Sequence, residues 1–300
     1  MGHHRLTSVW ILVFFPFFVS CSQGFGDREV ADGQSLLWRV DHDDLLKPSY
    51  IFGTMHFISE EDFHLGEHLV KIARSADLIV MELDMDDINL MEYASSSLLP
   101  GGSSLTDYLD PSDYDHLRSV FVDSLGAGSF MWMAYTRMKP FFLMSEIMRI
   151  MMGEQTKSYE GELVHIAEEE GIEIVGLEDP EEQIALIDSI PLERQTEMLM
   201  KGIRSLDSVR LYLNRLITFY KHQWLDSIEF AINDPTFDDL VEFEGMLISD
   251  RNERWIAAME DLMQHGMTLF AVGAAHLPGE AGVLNLLRQK GYGVTAVRTE

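Results

Sequence analysis

The sequence predicts an α/β fold: two strand–GxxH–helix–strand units forming one central, largely parallel sheet, with a helical middle region inserted between them. Three observations predict it. "YIFGTMHF" is an apolar, β-prone run that breaks at Gly53 and delivers His56 three residues later. "LFAVGAAHL", near the other end of the chain, does the same with Gly273 and His276. Each run leads through a helical stretch into a second strand-like segment, and a crossover of that kind joins parallel strands.

Twenty residues of a different character precede the fold. Arg5 gives a weakly positive start, and Val9 to Val19 is almost wholly apolar, too short to span a bilayer comfortably and built like the core of an export signal. The run ends with small Ser20 before Cys21, as bacterial lipoprotein signals end, so residues 1–20 are expected to be removed and Cys21 to become the lipidated first residue. Ordinary secretion into the periplasm is the alternative. Cys21 is the only cysteine, which excludes an intramolecular disulfide and a thiolate metal cluster. Residues 21–35 read as a polar linker and 36–300 as a single domain, with the helical insertion at about 88–265.

Within that domain "LLWRV" and "SYIFG" are two short strands flanking "DHDDLLKP", a hairpin connection. "EHLVKIARSA" places Leu69, Ile72 and Ala73 at helical spacing, and "DLIVMELD" follows as a buried strand. The middle is helical. "NLMEYASSSL" precedes a break at Pro100 to Gly102, and an amphipathic pair opens near Pro111 and stops at Gly126 and Gly128. "MKPFFLMSEIMRIMMG" is a Met-rich core helix. "EGELVHIAEEEGIEIVGLED" reads as a helix, a stop at Gly171 and a strand with Ile172, Ile174 and Val175. Long helices are then expected over Pro180 to Phe230 and Phe237 to His265. The end returns to the opening pattern: "MTLFAVG" as a strand, a loop and helix closed by Gly291, and "YGVTAVR" as a second strand.

An apolar content of 46% supports a substantial core, and the net charge of −28 argues against nucleic acid as a partner, which needs a cationic surface. The same charge leaves a lipid anchor as the only expected route to a membrane. Chemistry is expected at the carboxyl ends of the parallel strands, where ligands gather. There Gly53 and Gly273 allow a tight turn or a close backbone approach, and His56 and His276 project over the sheet edge. Glu82 ends the apolar run "LIVMEL", a costly place for a carboxylate unless it is paired or metal-bound. Two histidines and a carboxylate are the usual set for a catalytic metal with open positions. A buried ion pair with an arginine is the structural alternative for Glu82. Arg251 and Asn252 lie on a helix whose apolar face carries Trp255, Ile256 and Met259, so Arg251 falls near the core-facing side. Arg251 there either pairs with Glu82 or polarises a substrate carbonyl. His64, His68 and His165 read as surface residues. GxSxG, HExxH, the P-loop and GxGxxG are all absent.

"LWRV", "SYIFGTMHF", "ADLIVMELD", "YEGELVHIA", "GLEDPEEQIA", "DRNERW" and "FAVGAAHLPGEAGVLNLLRQKGYGVTAV" together resemble the TraB/GumN family, which includes the Tiki-type metalloproteases. Asp179 stands where relatives carry threonine. The resemblance implies one site built from both GxxH units, with His56 and His276 as metal ligands and Glu82 and Arg251 beside them. It implies a divalent-metal-dependent peptidase, with Mn, Co or Zn as cofactor and a peptide or protein as substrate. Glu82 is then either a ligand or the general base. A metal-independent, histidine-based esterase and a non-catalytic envelope binding lipoprotein are the rival readings.

Overall fold

The apolar runs from the two ends of the chain lie side by side in one six-stranded sheet. The computed structural model describes residues 34–84, 90–153, 155–233 and 242–300. The export-type segment 1–20, Cys21, most of the linker and the expected helix start at Phe237 lie outside the described residues.

The first unit comprises β1 (Leu37–Asp41), β2 (Ser49–Thr54), a two-residue β3 (Ile58–Ser59), α1 (Glu67–Ser75) and β4 (Leu78–Leu83). The middle carries α2 (Leu90–Ser96), α3 (Pro111–Ser119), α4 (Gly128–Tyr135), α5 (Pro140–Met151), β5 (Thr156–Lys157) and α6 (Tyr159–Glu170). It continues through β6 (Ile174–Glu178), α7 (Pro180–Ser189), α8 (Leu192–Arg204), α9 (Leu206–Lys221) and α10 (Leu225–Ile232). The last unit is α11 (Asp250–Leu262), β7 (Thr268–Gly273), α12 (Val283–Gln289) and β8 (Gly293–Val297).

The sheet order is β6-β4-β7-β2-β1-β8, while β3 and β5 form a separate two-stranded piece. β6, β4, β7 and β2 run parallel, and β1 pairs antiparallel with both β2 and β8. The fold is therefore mixed α/β with a mostly parallel central sheet. The two units interleave rather than pack side by side: β7 from the end of the chain inserts between β2 and β4. Burial explains the insertion. Every residue of β7 is buried, so it needs a strand on each edge and cover on each face, and only the sheet centre offers both. β1 and β8 keep exposed positions, as suits the antiparallel margin.

Local chemistry sets the element ends that matter for the site. Ser158 caps α6 by accepting from the Gly161 N–H, and Gly171 closes it in the left-handed conformation at φ 70°. Asp179 and Glu182 form a capping box on α7 with Pro180 at its first turn, a task a threonine performs equally well. The helical stretch expected over Pro180 to Phe230 is built of four helices. Its breaks fall at Ile190–Pro191, at Ser205, and at Gln223, whose φ is 55°. Among the described residues no helix is long and apolar enough to cross a membrane.

Candidate active site

β2 and β7 are in register from Tyr50↔Leu269 to Thr54↔Gly273, so the turns that follow them start together. That register brings His56 and His276 to one end of the sheet. Neither Gly53 nor Gly273 has a positive φ; both are needed for close approach. A Cβ on Gly53 would lie 3.0 Å from Leu277 Cδ2 and 3.1 Å from Ala274 Cα, and one on Gly273 would lie 3.2 Å from Glu82 Oε1.

Glu82 ends β4, one strand over, and is 8% exposed. Its Oε1 accepts the Gly273 N–H at 2.8 Å and its Oε2 accepts Nη2 of Arg251 at 2.6 Å. Glu178 ends β6 in the same way and takes Arg251 from the other side, at 3.0 Å from Nε and 2.8 Å from Nη2. Arg251 reaches both carboxylates from α11, whose inward face also carries Asn252, Trp255, Ile256 and Met259. Its Nη1 donates to Leu247 O at 3.1 Å and lies 3.2 Å from His276 Nε2. Gln183, on α7, directs its amide nitrogen at Glu178 Oε2 and Glu82 Oε2, at 3.3 and 3.5 Å.

The hydrogen-bond network settles the tautomer of His276. Asn252 Nδ2 donates to the carbonyls of His276 and Ala281, at 3.2 and 2.9 Å, which turns its Oδ1 toward His276 Nδ1 at 2.7 Å. Nδ1 therefore carries the proton and Nε2 presents a lone pair to Arg251 and, at 3.8 Å, to Glu82 Oε1. The Trp255 ring packs against the imidazole at 4.4 Å, with the Arg251 guanidinium over its face at 4.9 Å. Burial pushes His276 down to about 3, helped by Arg251 and His56 against the pull of Glu82, so the ring is neutral at ordinary pH.

His56 lives in the opposite field. Its Nδ1 lies 2.6 Å from Glu160 Oε1, and both side chains are buried. Burial disfavours its charged form, yet the Glu160 carboxylate outweighs that and holds His56 above its ordinary value. Glu160 is steadied by the Ser158 hydroxyl at 2.7 Å and, like Glu82, is held below the usual carboxylate range. In both acids burial works against ionisation and nearby positive groups prevail: His56 for Glu160, Arg251 first for Glu82.

The structure thus brings His56, His276, Glu82, Arg251, Asn252, Gly53 and Gly273 to one buried cluster. His64 and His68 remain outside, bonded at the exposed surface to Glu300 Oε1 and Arg298 O, as does His165 beside Glu169. Sequence reasoning missed Glu160, Glu178 and Gln183. Glu178 carried the same signal as Glu82, a carboxylate closing an apolar strand. Glu160 was hidden because an acid in the first turn of a helix reads as a dipole partner.

Over residues 36–296 the chain matches the TraB/PrgY/gumN family profile. It belongs to that family. Among curated proteins it is similar to metalloprotease TIKI2 of Danio rerio, 25% identical over 315 residues covering 88% of this chain and 61% of the relative. It is likewise similar to metalloprotease TIKI1 of Danio rerio, 24% identical over 316 residues covering 88% and 63%. The chain thus spans about three fifths of the length of these relatives. No solved structure matches it.

The metalloprotease names of these relatives raise the question whether the family site in this chain suits a metal ion. Among the described residues no three His, Cys, Asp or Glu side chains converge at ligand distance. Glu82 in particular is already the counter-ion of Arg251. The chemical kind of the donors nonetheless fits a divalent cation. The buried carboxylates of Glu82, Glu160 and Glu178 outnumber the one buried guanidinium by two, with half-exposed Arg254 also reaching Glu178 at 3.3 Å. His276 offers a lone pair oriented by an amide, His56 is backed by a carboxylate, and Gln183 Oε1 is a buried acceptor with no donor among the described residues.

Proposed function

We propose that this TraB/PrgY/gumN protein is a divalent-metal-dependent hydrolase acting on peptide bonds. The observation that carries the proposal is the gathering of three buried carboxylates around two imidazoles at the ends of adjacent parallel strands. Imidazole nitrogens and carboxylate oxygens gathered in one buried place are the donor set that a divalent transition-metal ion takes. The metalloprotease relatives support the same reading, at an identity that leaves the activity a proposal.

His56 and His276 would hold the ion, with the Glu82 and Glu178 carboxylates supplying the surrounding field. When bound, the ion supplies Lewis acidity toward a substrate carbonyl and a more acidic water. The remaining work belongs to the chain. Asn252 and Glu160 fix the two rings, so neither turns away during turnover. Trp255 and the walls of β2 and β7 keep bulk water from the charges and strengthen each interaction. Arg251 is the group that meets negative charge developing on the carbonyl oxygen.

A second reading rests on the His56–Glu160 pair alone. A buried carboxylate behind an imidazole is the arrangement of a general base, and it needs no metal. A peptide library incubated with the purified protein separates the two. Cleavage abolished by a chelator and restored by Mn²⁺ is expected, and cleavage indifferent to the chelator would favour the second reading. Folded His56→Ala and His276→Ala variants are expected to lose bound metal and more than the 10–100-fold in activity that outer-shell changes cost. Parent-level metal content and activity in both variants would end the metal-dependent reading.

A further inference from the structure

Arg251 engages all five of its N–H groups. Nε is shared by the two oxygens of Glu178, Nη2 serves Glu82 and Glu178, and Nη1 serves Leu247 O and His276 Nε2. A guanidinium has no further donor, so none faces a substrate. The same guanidinium touches both Glu82 Oε2 and the only lone pair that His276 presents. It therefore holds the place where positive charge is most favoured, between a carboxylate and a neutral imidazole.

We infer that Arg251 is the resident counter-cation of the site, and that a divalent ion competes with it for His276 Nε2. This rests on the metal-dependent reading above and adds a consequence to it. An ion bonded to Nε2 displaces the Nη1–H from that nitrogen. Glu178 retains the guanidinium through Nε and Nη2, so the group moves aside without leaving the site. The released N–H becomes the donor available to an oxygen developing negative charge. Binding of the ion and readiness of the oxyanion donor are thereby one event, and Glu178 is the positioning residue that makes it possible.

The experiment is Mn²⁺ binding, followed by calorimetry on the whole protein, without any substrate. Arg251→Gln removes the charge and keeps a polar side chain; Arg251→Lys keeps the charge. The neutral variant is expected to bind Mn²⁺ about tenfold tighter or more, the scale set by removing a like charge a few ångströms away in a shielded interior. The lysine variant is expected within threefold of the parent. A parent that binds Mn²⁺ together with an Arg251→Gln variant that binds no tighter overturns this inference alone. Absence of binding in both overturns it together with the metal-dependent reading. Should Arg251→Gln be unfolded in the absence of metal, Mn²⁺ is expected to restore its circular dichroism spectrum, and failure to do so overturns the inference.

Discussion

His56 and His276 share a strand-end motif and an imidazole, yet their surroundings give them opposite properties. His276 is packed on an indole, faces a guanidinium and is driven neutral. His56 lies against a carboxylate and is driven toward its charged form. The difference is set by Glu160, so Glu160→Gln is the informative change. It keeps the shape of the side chain while removing the charge that orients the ring. The variant is expected to fold as the parent does and to lose 10–100-fold in Mn²⁺ affinity and in kcat/KM. Calorimetry beside steady-state kinetics on a cleaved peptide checks it, and unchanged values in both would reduce Glu160 to a packing residue. Trp255 adds a smaller constraint: packed against both Arg251 and His276, its ring is a flat apolar wall beside two polar groups.

At the scale of elements, the site depends on how tightly the ends of β2 and β7 approach each other. Tyr220, from α9, donates its hydroxyl to Gly53 O at 2.9 Å, tying the middle helices to the same corner. Gly53 lies against the turn that carries His276, with no room for a methyl group beside the Ala274 backbone. Gly53→Ala is therefore expected to push β2 from that turn and to cost about 1–3 kcal/mol through overpacking. Urea unfolding measures the cost, and a midpoint equal to that of the parent would mean that the turn yields freely. The carboxylates follow an equivalent rule. Glu82 and Glu178 close neighbouring parallel strands, in register at Leu83↔Glu178, so one arginine reaches both. The capping box at Asp179 then turns the chain into α7 and sets Gln183 beside the pair.

For the whole molecule, the interleaved sheet makes the last strands indispensable. β2 and β4 come from the first third of the chain but have no contact ladder with each other; β7 joins them. The core is thus closed by residues more than two hundred positions apart in sequence, a topology whose loop-closure cost slows folding. A chain ending at His265 lacks β7 and β8 and exposes the edges of both β2 and β4. It is expected to lose native structure and to associate through those edges. Circular dichroism and sedimentation check this, and a monomeric, cooperatively melting fragment would show that the first unit is self-sufficient.

Much of this was legible in the sequence, because strands and helices announce themselves locally. The apolar runs around Ile51, Val80 and Phe270 marked the strands, and Gly53 and Gly273 marked the places where His56 and His276 leave them. The face of α11 was readable from the spacing of Arg251, Trp255 and Met259. Strand order was not readable, since hydrogen bonds between strands are made by backbone groups common to every residue. For the same reason the sequence left Glu82 free to be a ligand or an ion-pair partner. Folding joined it to Arg251, set Glu160 against His56, and drove two similar histidines in opposite directions of protonation. Charge on a buried imidazole depends on which groups lie within a few ångströms, and only the packed chain decides that.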